Sequence, residues 1–404
     1  MKKKVLTATL IIMSSLIILL TYKKDNNVTF SDTSKNNNNI LSIMLETSSG
    51  SGDYQESLSN SFPRNGYIFN ENLSNCENGS KISWNEENKS VSVKSNKADK
   101  CHLYFDIYEP ILAETIINLY TGTQGENSIY YHDSNLANGA GDNSYRYAGS
   151  DPDNYVCFGS DESTCPNDNL YRIIGVFGNN VKLIKYDYAN SNLLGTDGDY
   201  SSSTYSKSGY STYNGSLTTI NSYYWNNSTQ KNTWSESLLN KTNLNTNFIN
   251  NIGTEWSNKI AVTTWKVGGN INANVCSVTP SVAYQNEIVN PVTTNTTDNA
   301  TEYSAKIGLM YVSDYGYAAE PSAWTLTLVN YNSTTSTNWM YMGLYDWSIS
   351  RNADDSNFAF SVSYDGRVGS RLLINGAVRP SFNLESSITY VSGSGSASDP
   401  MVIN

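Results

Sequence analysis

The sequence predicts an α+β fold that is mostly antiparallel β with a few helices. Between Phe358 and Tyr364, bulky apolar residues alternate with smaller or polar ones, which is the period of a half-buried strand. Asp365-Gly366 and Asn375-Gly376 tolerate the positive φ angles of tight hairpin turns. We therefore predict a three-stranded meander that continues with strands over Val368–Ile374 and Ala377–Leu384.

A second hairpin and the composition favour the same fold class. Leu170–Phe177 and Val181–Tyr188 are strand-like runs separated by Gly178-Asn179-Asn180. The thirty tyrosines and eight tryptophans are residue types that suit the faces of β-sheets. Among the few helices, Glu109–Tyr120 is the clearest, because Pro110 suits the first helical position and the apolar residues form one stripe.

The charge balance bears on the class of partner. The 404 residues carry 37 acidic and 26 basic side chains, a formal net charge of −11. A negative surface repels phosphate backbones, so we expect no nucleic-acid partner. With two histidines and no Cys-x-x-Cys spacing in the chain, we also expect no metal site and no cofactor.

The N-terminal segment predicts export. Val5–Leu20 is apolar and bracketed by lysines, long enough for a transmembrane helix. We predict a signal-anchor over 1–22, a single-pass protein of the cell membrane whose C-terminal region is extracellular, and a flexible tether over 23–64. A signal peptide has a similar length, so secretion after cleavage stays open.

The five cysteines of the exported part indicate two disulfides and, from them, the domain boundaries. We pair Cys76 with Cys101 and Cys157 with Cys165, each within one local segment, which leaves Cys276 over. The predicted domains are therefore a small disulfide-closed β domain over 65–108, a linker helix and loops over 109–153, and an α+β domain over 154–404.

Several sequence blocks resemble exported surface proteins of low-GC Gram-positive-type anaerobic bacteria, which are largely of unknown function. The blocks lie at Gly66–Asp106, Asn154–Phe177, Lys306–Ala318, Asn338–Arg351 and Ala377–Leu384. The Trp-x-x-x-Arg segment and the terminal Ala-Val-Arg-Pro strand further resemble the C-type-lectin and formylglycine-generating-enzyme fold. This resemblance implies a C-type-lectin-like main domain.

Four residues of these last blocks are predicted to be structural. We expect Arg351 and Arg379 to pair with carboxylates or backbone carbonyls and tie strands together, because both lie in apolar strand patterns. Trp347 alternates with Ile349 on one strand face. Pro380 has no ladder donor and is expected at an edge, a strand start or a bulge.

Aromatic residues in Ser/Asn/Gly-rich loops are the predicted ligand-binding residues, because tyrosine among small polar neighbours gives adaptable contact area. They are Tyr205, Tyr213, Tyr223, Trp225, Tyr315, Tyr317 and Tyr331. The function predicted is a membrane-anchored, non-enzymatic adhesin- or lectin-like module for a glycan or a surface protein, with no catalytic residue. Two alternatives stay open: an extracellular polysaccharide hydrolase that uses paired carboxylates, and a structural spacer without a ligand.

Overall fold

The computed structural model describes residues 27–31, 35–36, 39–59, 61–63, 66–86, 88–94, 99–271, 275–291 and 300–404. The chain separates into two compact units, Met1–Glu109 and Pro110–Asn404, called here the N-terminal unit and the main unit.

The N-terminal unit is built of β-strands. The described strands are β1 Asn27–Ser31, β2 Lys35–Asn36, β3 Asn39–Glu46, β4 Tyr54–Glu56, β5 Tyr67–Cys76, β6 Lys81–Asn85, β7 Ser90–Lys94 and β8 Lys100–Ile107. One sheet has the order β1-β7-β6, and the other has the order β2-β3-β8-β5 with β4 paired to β3. Strands β3 and β8 are parallel, whereas the other pairs are antiparallel.

The predicted tether over 23–64 differs from the structure, because β1 lies in this range and pairs with β7. Strand β3 lies inside that range and pairs with β8. Leu41 and Ile43 point into a core that also contains Leu103 and Phe105, so the alternation of apolar residues in Asn39–Glu46 is the signal of a half-buried strand. Residues 1–26 lie outside the described part.

Both predicted disulfides are confirmed. Cys76 is bonded to Cys101 and joins the directly paired ends of β5 and β8. Cys157 is bonded to Cys165 in the main unit. Cys276, the cysteine left over, is free and buried.

Removal of the Cys76–Cys101 bridge is expected to lower the free energy of unfolding of the N-terminal unit by about 2–4 kcal/mol, because the small core relies on the chain constraint. The change is the double substitution Cys76→Ser/Cys101→Ser. Faster hydrogen exchange in β5 and β8 of the full chain measures it. The matched control, Cys157→Ser/Cys165→Ser, should leave exchange in these two strands unchanged, and equal exchange in wild type and first variant would contradict the prediction.

The main unit combines short sheets with short helices. Its described strands are β9 Ile129–Tyr131, β10 Tyr145–Tyr147, β11 Tyr155–Cys157, β12 Leu170–Phe177, β13 Asn180–Lys185, β14 Tyr200–Ser206, β15 Thr219–Tyr223, β16 Thr263–Lys266, β17 Gly269–Asn270, β18 Glu302–Ala305, β19 Ile307–Gly308, β20 Asp346–Asn352, β21 Phe358–Val362, β22 Val368–Leu372, β23 Ser381–Asn383, β24 Tyr390–Ser392 and β25 Val402–Ile403.

The helices of the main unit are short. The described α-helices are α1 Leu112–Asn118, α2 Ser191–Leu194, α3 Ile249–Asn251, α4 Gly253–Asn258, α5 Pro280–Tyr284 and α6 Val312–Ala318. Leu239–Phe248 and Gln285–Val289 are π-helical. Short 3-10 turns are Glu126–Ser128, Asn167–Asn169, Lys207–Gly209, Pro321–Thr325 and Leu328–Ser333.

Two sheets organise the main unit. The central sheet has the order β19-β23-β13-β12-β10-β9, with β11 paired to β12. The predicted hairpin around residues 178–180 is confirmed as the antiparallel pair β12–β13. The second sheet has the order β17-β20-β21-β22, and the smaller pairs are β14-β15, β16-β18 and β24-β25.

The predicted C-terminal meander is wrong in its third strand. Strands β20, β21 and β22 form an antiparallel meander, with Asp365-Gly366 in the β21–β22 turn. The strand after Asn375-Gly376, β23, pairs instead with β13 and β19 of the central sheet. Phe382 on β23 explains the change of sheet, since it is fully buried against Phe158 and Tyr171.

The predicted fold class needs one correction. The mostly antiparallel β character with few helices is seen, but among the residues that the structure describes no helix is long and apolar enough to cross a membrane. The segment predicted as a transmembrane helix, 1–22, lies outside the described residues. The described residues therefore support the mostly antiparallel β part of the predicted fold class and include no transmembrane helix.

Candidate functional site

A surface cleft of about 250 Å³ lies between the segment 224–230 and the strands β21 and β22. Its lining combines aromatic, amide and aliphatic side chains. The lining residues are Tyr224, Asn226, Asn227, Gln230, Asn357, Phe358, Leu372, Leu373 and Ile374. We call it the Tyr224 cleft.

One wall of the Tyr224 cleft is apolar. Phe358 is half-buried at the start of β21, whereas Leu372 and Ile374 each have 46% of their surface exposed. Leu373 lies between them and points into the core, as the alternation of a strand requires. The wall therefore presents a continuous apolar surface next to the half-buried ring of Tyr224.

Amide groups also line the Tyr224 cleft. Asn227 and Gln230 are exposed, and within the described part of the chain their side chains make no hydrogen bond. Asn357 is also exposed and donates from Nδ2 to Asp355 Oδ1 at 3.1 Å. Asn226 is different: it is fully buried and donates to Thr229 Oγ1 and Lys231 O. Asn226 therefore shapes the loop, while the three exposed amides are available to a ligand.

Asp199 holds the segment that carries Tyr224 and Asn227. Its Oδ1 accepts from Asn227 N at 2.9 Å, and its backbone oxygen accepts from Tyr224 N at 2.8 Å. Its Oδ2 accepts from Leu239 N at 2.8 Å. Burial raises the pKa of Asp199, against the effect of these N–H donors. One residue thus fixes the backbone on both sides of Trp225, through its backbone oxygen at Tyr224 and its carboxyl group at Asn227.

Two tryptophans cross-brace the same segment against β20. Trp225 Nε1 donates to Ser348 O at 2.9 Å, and Trp347 Nε1 donates to Tyr223 O at 3.0 Å. Both rings are fully buried. The backbone of Tyr224 is therefore clamped from both neighbours, and its ring is held at the mouth of the cleft.

No protein-family profile, curated protein or solved structure matches this chain. The resemblance to exported surface proteins and to a lectin-like fold accordingly stays a prediction.

The aromatic residues that the sequence singles out as ligand-binding are placed in the interior. Tyr223, Trp225, Tyr315 and Tyr331 have no exposed surface, and Tyr205, Tyr213 and Tyr317 are also buried. The prediction that these rings are exposed in loops is wrong. Because a ligand needs ring surface that it can reach, these residues do not form a binding surface in this structure.

Hydrogen bonds explain why so many tyrosines can be buried in polar segments. A buried tyrosine is favourable when its hydroxyl finds a partner. Tyr205 donates to Asn375 O, Tyr213 to Asp187 Oδ1, Tyr223 to Gly195 O, Tyr315 to Gly366 O, and Tyr331 to Gly316 O and Ala323 O. Tyr317 packs edge-on against His132. These rings fasten loops to the core.

The residues predicted to be structural are buried. Arg379 contacts Asp346 at 2.6 Å and donates to Met340 O at 2.7 Å. Arg351 donates to Val267 O at 3.3 Å. Pro380 comes directly before β23, and its carbonyl accepts from Lys185 N at 3.0 Å. Trp347 acts as the brace described above.

A second cleft, of about 420 Å³, lies beside the Cys157–Cys165 bridge. Asp161, Glu162 and Asp399 line it together with several hydroxyl groups. Within the described ranges no group of three or more His, Cys, Asp or Glu side chains has the arrangement of a metal site. We call it the disulfide cleft.

Sequence reasoning missed the Tyr224 cleft. The available signal was the triplet 223–225, in which strand alternation buries Tyr223 and Trp225 and leaves Tyr224 facing outward. The exposure of Leu372 and Ile374 is not predicted by this alternation, because apolar residues in a strand pattern are expected to face the core.

Proposed function

We propose that this protein is an exported, non-enzymatic binding protein whose main unit binds an uncharged saccharide chain in the Tyr224 cleft. The observation that carries the proposal is the lining of that cleft, which combines apolar side chains and a phenol ring with exposed amide groups.

A saccharide suits this lining because a sugar ring is amphipathic. Its C–H face packs on an aromatic or aliphatic surface, here Tyr224, Phe358 and Leu372, while its hydroxyls need partners that both donate and accept. The amides of Asn227, Gln230 and Asn357 can do both. The volume of about 250 Å³ lies just below the range of about 300–1,000 Å³ of drug-sized pockets, so it suits one or two sugar rings of a longer chain.

The lining also favours an uncharged ligand. All nine lining residues carry neutral side chains. A charged group that leaves water without an opposite partner loses hydration that neutral amides only partly replace. We therefore place uronate- or phosphate-bearing polymers among the poor ligands.

Binding without turnover is proposed for the same reason. Glycoside hydrolysis uses a pair of Asp or Glu side chains that flank the bond to be broken. The lining of the Tyr224 cleft consists of phenol, amide and hydrocarbon groups, which can hold a sugar but do not include such a carboxyl pair.

Export is supported by the two disulfides. Such bonds persist in oxidising compartments and are rare in the cytosol. We propose that the protein acts outside the cytoplasm, with its main unit available to extracellular glycans.

The test is a glycan array probed with the wild-type chain and with Tyr224→Ala. We expect wild type to bind neutral saccharides and Tyr224→Ala to bind about tenfold or more weakly, since loss of one aromatic anchor of about 1–2 kcal/mol has that effect. Tyr364→Ala, a change at another exposed tyrosine of the main unit, is the matched control and should bind like wild type. An array without binding would contradict the proposal, and release of reducing sugar would favour a hydrolase.

A further inference from the structure

A lysine and an aspartate face each other in the interior of the main unit. Lys182 on β13 has its Nζ 2.5 Å from Oδ2 of Asp314 on α6. Their side chains are only 6% and 1% exposed. The two residues are 132 positions apart in the chain. This contact holds the amine nitrogen against the carboxyl group that it would attack, and such positioning favours a reaction between two groups.

Aromatic rings enclose the pair. Lys182 Nζ lies 4.6 Å from the ring centre of Tyr311, 5.5 Å from that of Trp265 and 5.7 Å from that of Phe177. Such surroundings hold little water. Burial accordingly lowers the pKa of Lys182, although Asp314 acts in the opposite direction. The buried surroundings therefore favour the neutral, nucleophilic form of the Lys182 amine.

An arginine donor faces the same carboxyl group. Nη1 of Arg146 is 3.9 Å from Asp314 Oδ1 and makes no hydrogen bond within the described part of the chain. The Arg146 side chain is buried, and its Nη2 is held by Asp142 Oδ2 at 2.6 Å. Nη1 therefore faces the oxygen on which negative charge would develop, from beyond the distance of about 2.7–3.1 Å of an oxyanion-hole donor, and it acts there through its positive charge.

A second carboxyl group shares the N-terminus of α6. Glu287 accepts from Val312 N at 3.0 Å and from Ser313 N at 2.9 Å, while Asp314 Oδ2 accepts from Tyr311 N at 2.8 Å. Burial raises the pKa of Glu287 against these hydrogen bonds. Glu287 is thus a buried acid next to the pair that can carry a proton.

We propose that Lys182 and Asp314 condense to form an intramolecular amide cross-link. In the reaction a proton passes from Nζ to the Asp314 carboxyl group, the neutral Nζ attacks Cγ, and the positive charge of Arg146 faces the oxyanion. The Nζ–Cγ bond forms, the bond from Cγ to the hydroxyl oxygen breaks, and that hydroxyl leaves with a proton as water. Nζ gives up one proton as the amide forms, and Glu287 can relay that proton to the departing hydroxyl. No oxidant, reductant or further reactant is needed.

The cross-link would join the central sheet to α6 by a bond that resists mechanical force and heat. It would close a loop of 132 positions in sequence, which restricts the unfolded chain more than a short loop does. A binding protein exposed outside the cell gains from such a bond, because the main unit could not be pulled open between β13 and α6.

Peptide mapping of the purified full chain by mass spectrometry tests the proposal directly. We expect a branched peptide that contains Lys182 and Asp314 and weighs less than the two separate peptides together by one water molecule, about 18 Da. Proteolysis after Lys182 should be blocked in that species. Separate, unmodified peptides for both residues in the folded wild-type protein would overturn the proposal, as would a water loss located at Asp365-Gly366.

Variants distinguish the chemistry from the fold. Lys182→Arg keeps the charge but has no attacking amine of this kind, and Asp314→Ala removes the carboxyl carbon; neither should give the branched peptide. Glu287→Gln keeps the side-chain size and should slow its appearance in freshly purified protein at least tenfold. Lys266→Arg, at a lysine on β16 paired with Glu302, is the control and should yield the branched peptide like wild type. Loss of the peptide in this control would count against the assignment.

Discussion

Replacement of Asp346 by alanine is expected to lower the free energy of unfolding of the main unit by about 3–5 kcal/mol. Asp346 and Arg379 are both buried, and Asp346 Oδ2 accepts from Arg379 Nε at 2.7 Å. The variant leaves a guanidinium in the interior that cannot lose its proton. Among the described residues, Met340 O still accepts a hydrogen bond from it. Denaturant unfolding of the purified chain measures the loss.

The reciprocal variant should behave differently with pH. Burial raises the pKa of Asp346 to about 6, against the opposite effect of Arg379. In Arg379→Ala that opposition is gone, so the pKa of Asp346 in the folded state rises further above its value in the unfolded state. Stability of Arg379→Ala should therefore be higher near pH 4 and fall as pH rises through 6 and above.

A paired replacement is the control for both variants. Asp346→Leu/Arg379→Met removes both charges and keeps apolar volume, so it should recover most of the lost stability. If Asp346→Ala and the paired variant were equally destabilised, or if Arg379→Ala showed no pH dependence, the buried charge would not be the cause.

Replacement of Trp347 by alanine is the second change with a large expected effect, about 3–5 kcal/mol in the free energy of unfolding. The ring is fully buried, and its Nε1 donates to Tyr223 O. It also lies against Gly376, where an added Cβ would come within 2.2 Å of Nε1. Alanine would leave a cavity beside the segment that carries Tyr224. Saccharide affinity should fall together with stability.

Two matched changes separate packing from hydrogen bonding at Trp347. Trp347→Phe keeps most of the ring volume and loses the N–H donor, so a smaller loss of stability is expected. Gly376→Ala leaves Trp347 in place and should destabilise through the close contact. Thermal unfolding of the three variants gives the order, and a Trp347→Ala variant as stable as Trp347→Phe would contradict the packing argument.

The parts of the fold that the sequence predicts well are the local ones. Gly178-Asn179-Asn180 and Asp365-Gly366 specify tight turns, and the strands on both sides pair with their sequence neighbours. The two disulfides also join nearby segments. β23 was predicted to continue the local meander, but burial of Phe382 in the central sheet decides its pairing. That choice depends on long-range packing, which turn residues do not encode.

The candidate site was harder to predict than the fold, because polar loops do not reveal which ring is exposed. Tyr315 and Tyr331 lie among small polar neighbours, yet their hydroxyls donate to backbone carbonyls and their rings are buried. Tyr224 differs from Tyr223 only in the side of the backbone from which it projects. The apolar wall of the Tyr224 cleft includes outward-facing Leu372, whose exposure follows from the tertiary arrangement of β22.

Hydrogen–deuterium exchange of the full chain, with and without a neutral saccharide that the array identifies, tests the proposed binding site most directly. We expect slower exchange in 222–230 and 357–374, the segments that line the Tyr224 cleft, and no slowing in the Tyr224→Ala variant at the same saccharide concentration. Protection confined to 157–170 and 392–402, around the disulfide cleft, would contradict the assignment of the Tyr224 cleft as the saccharide site.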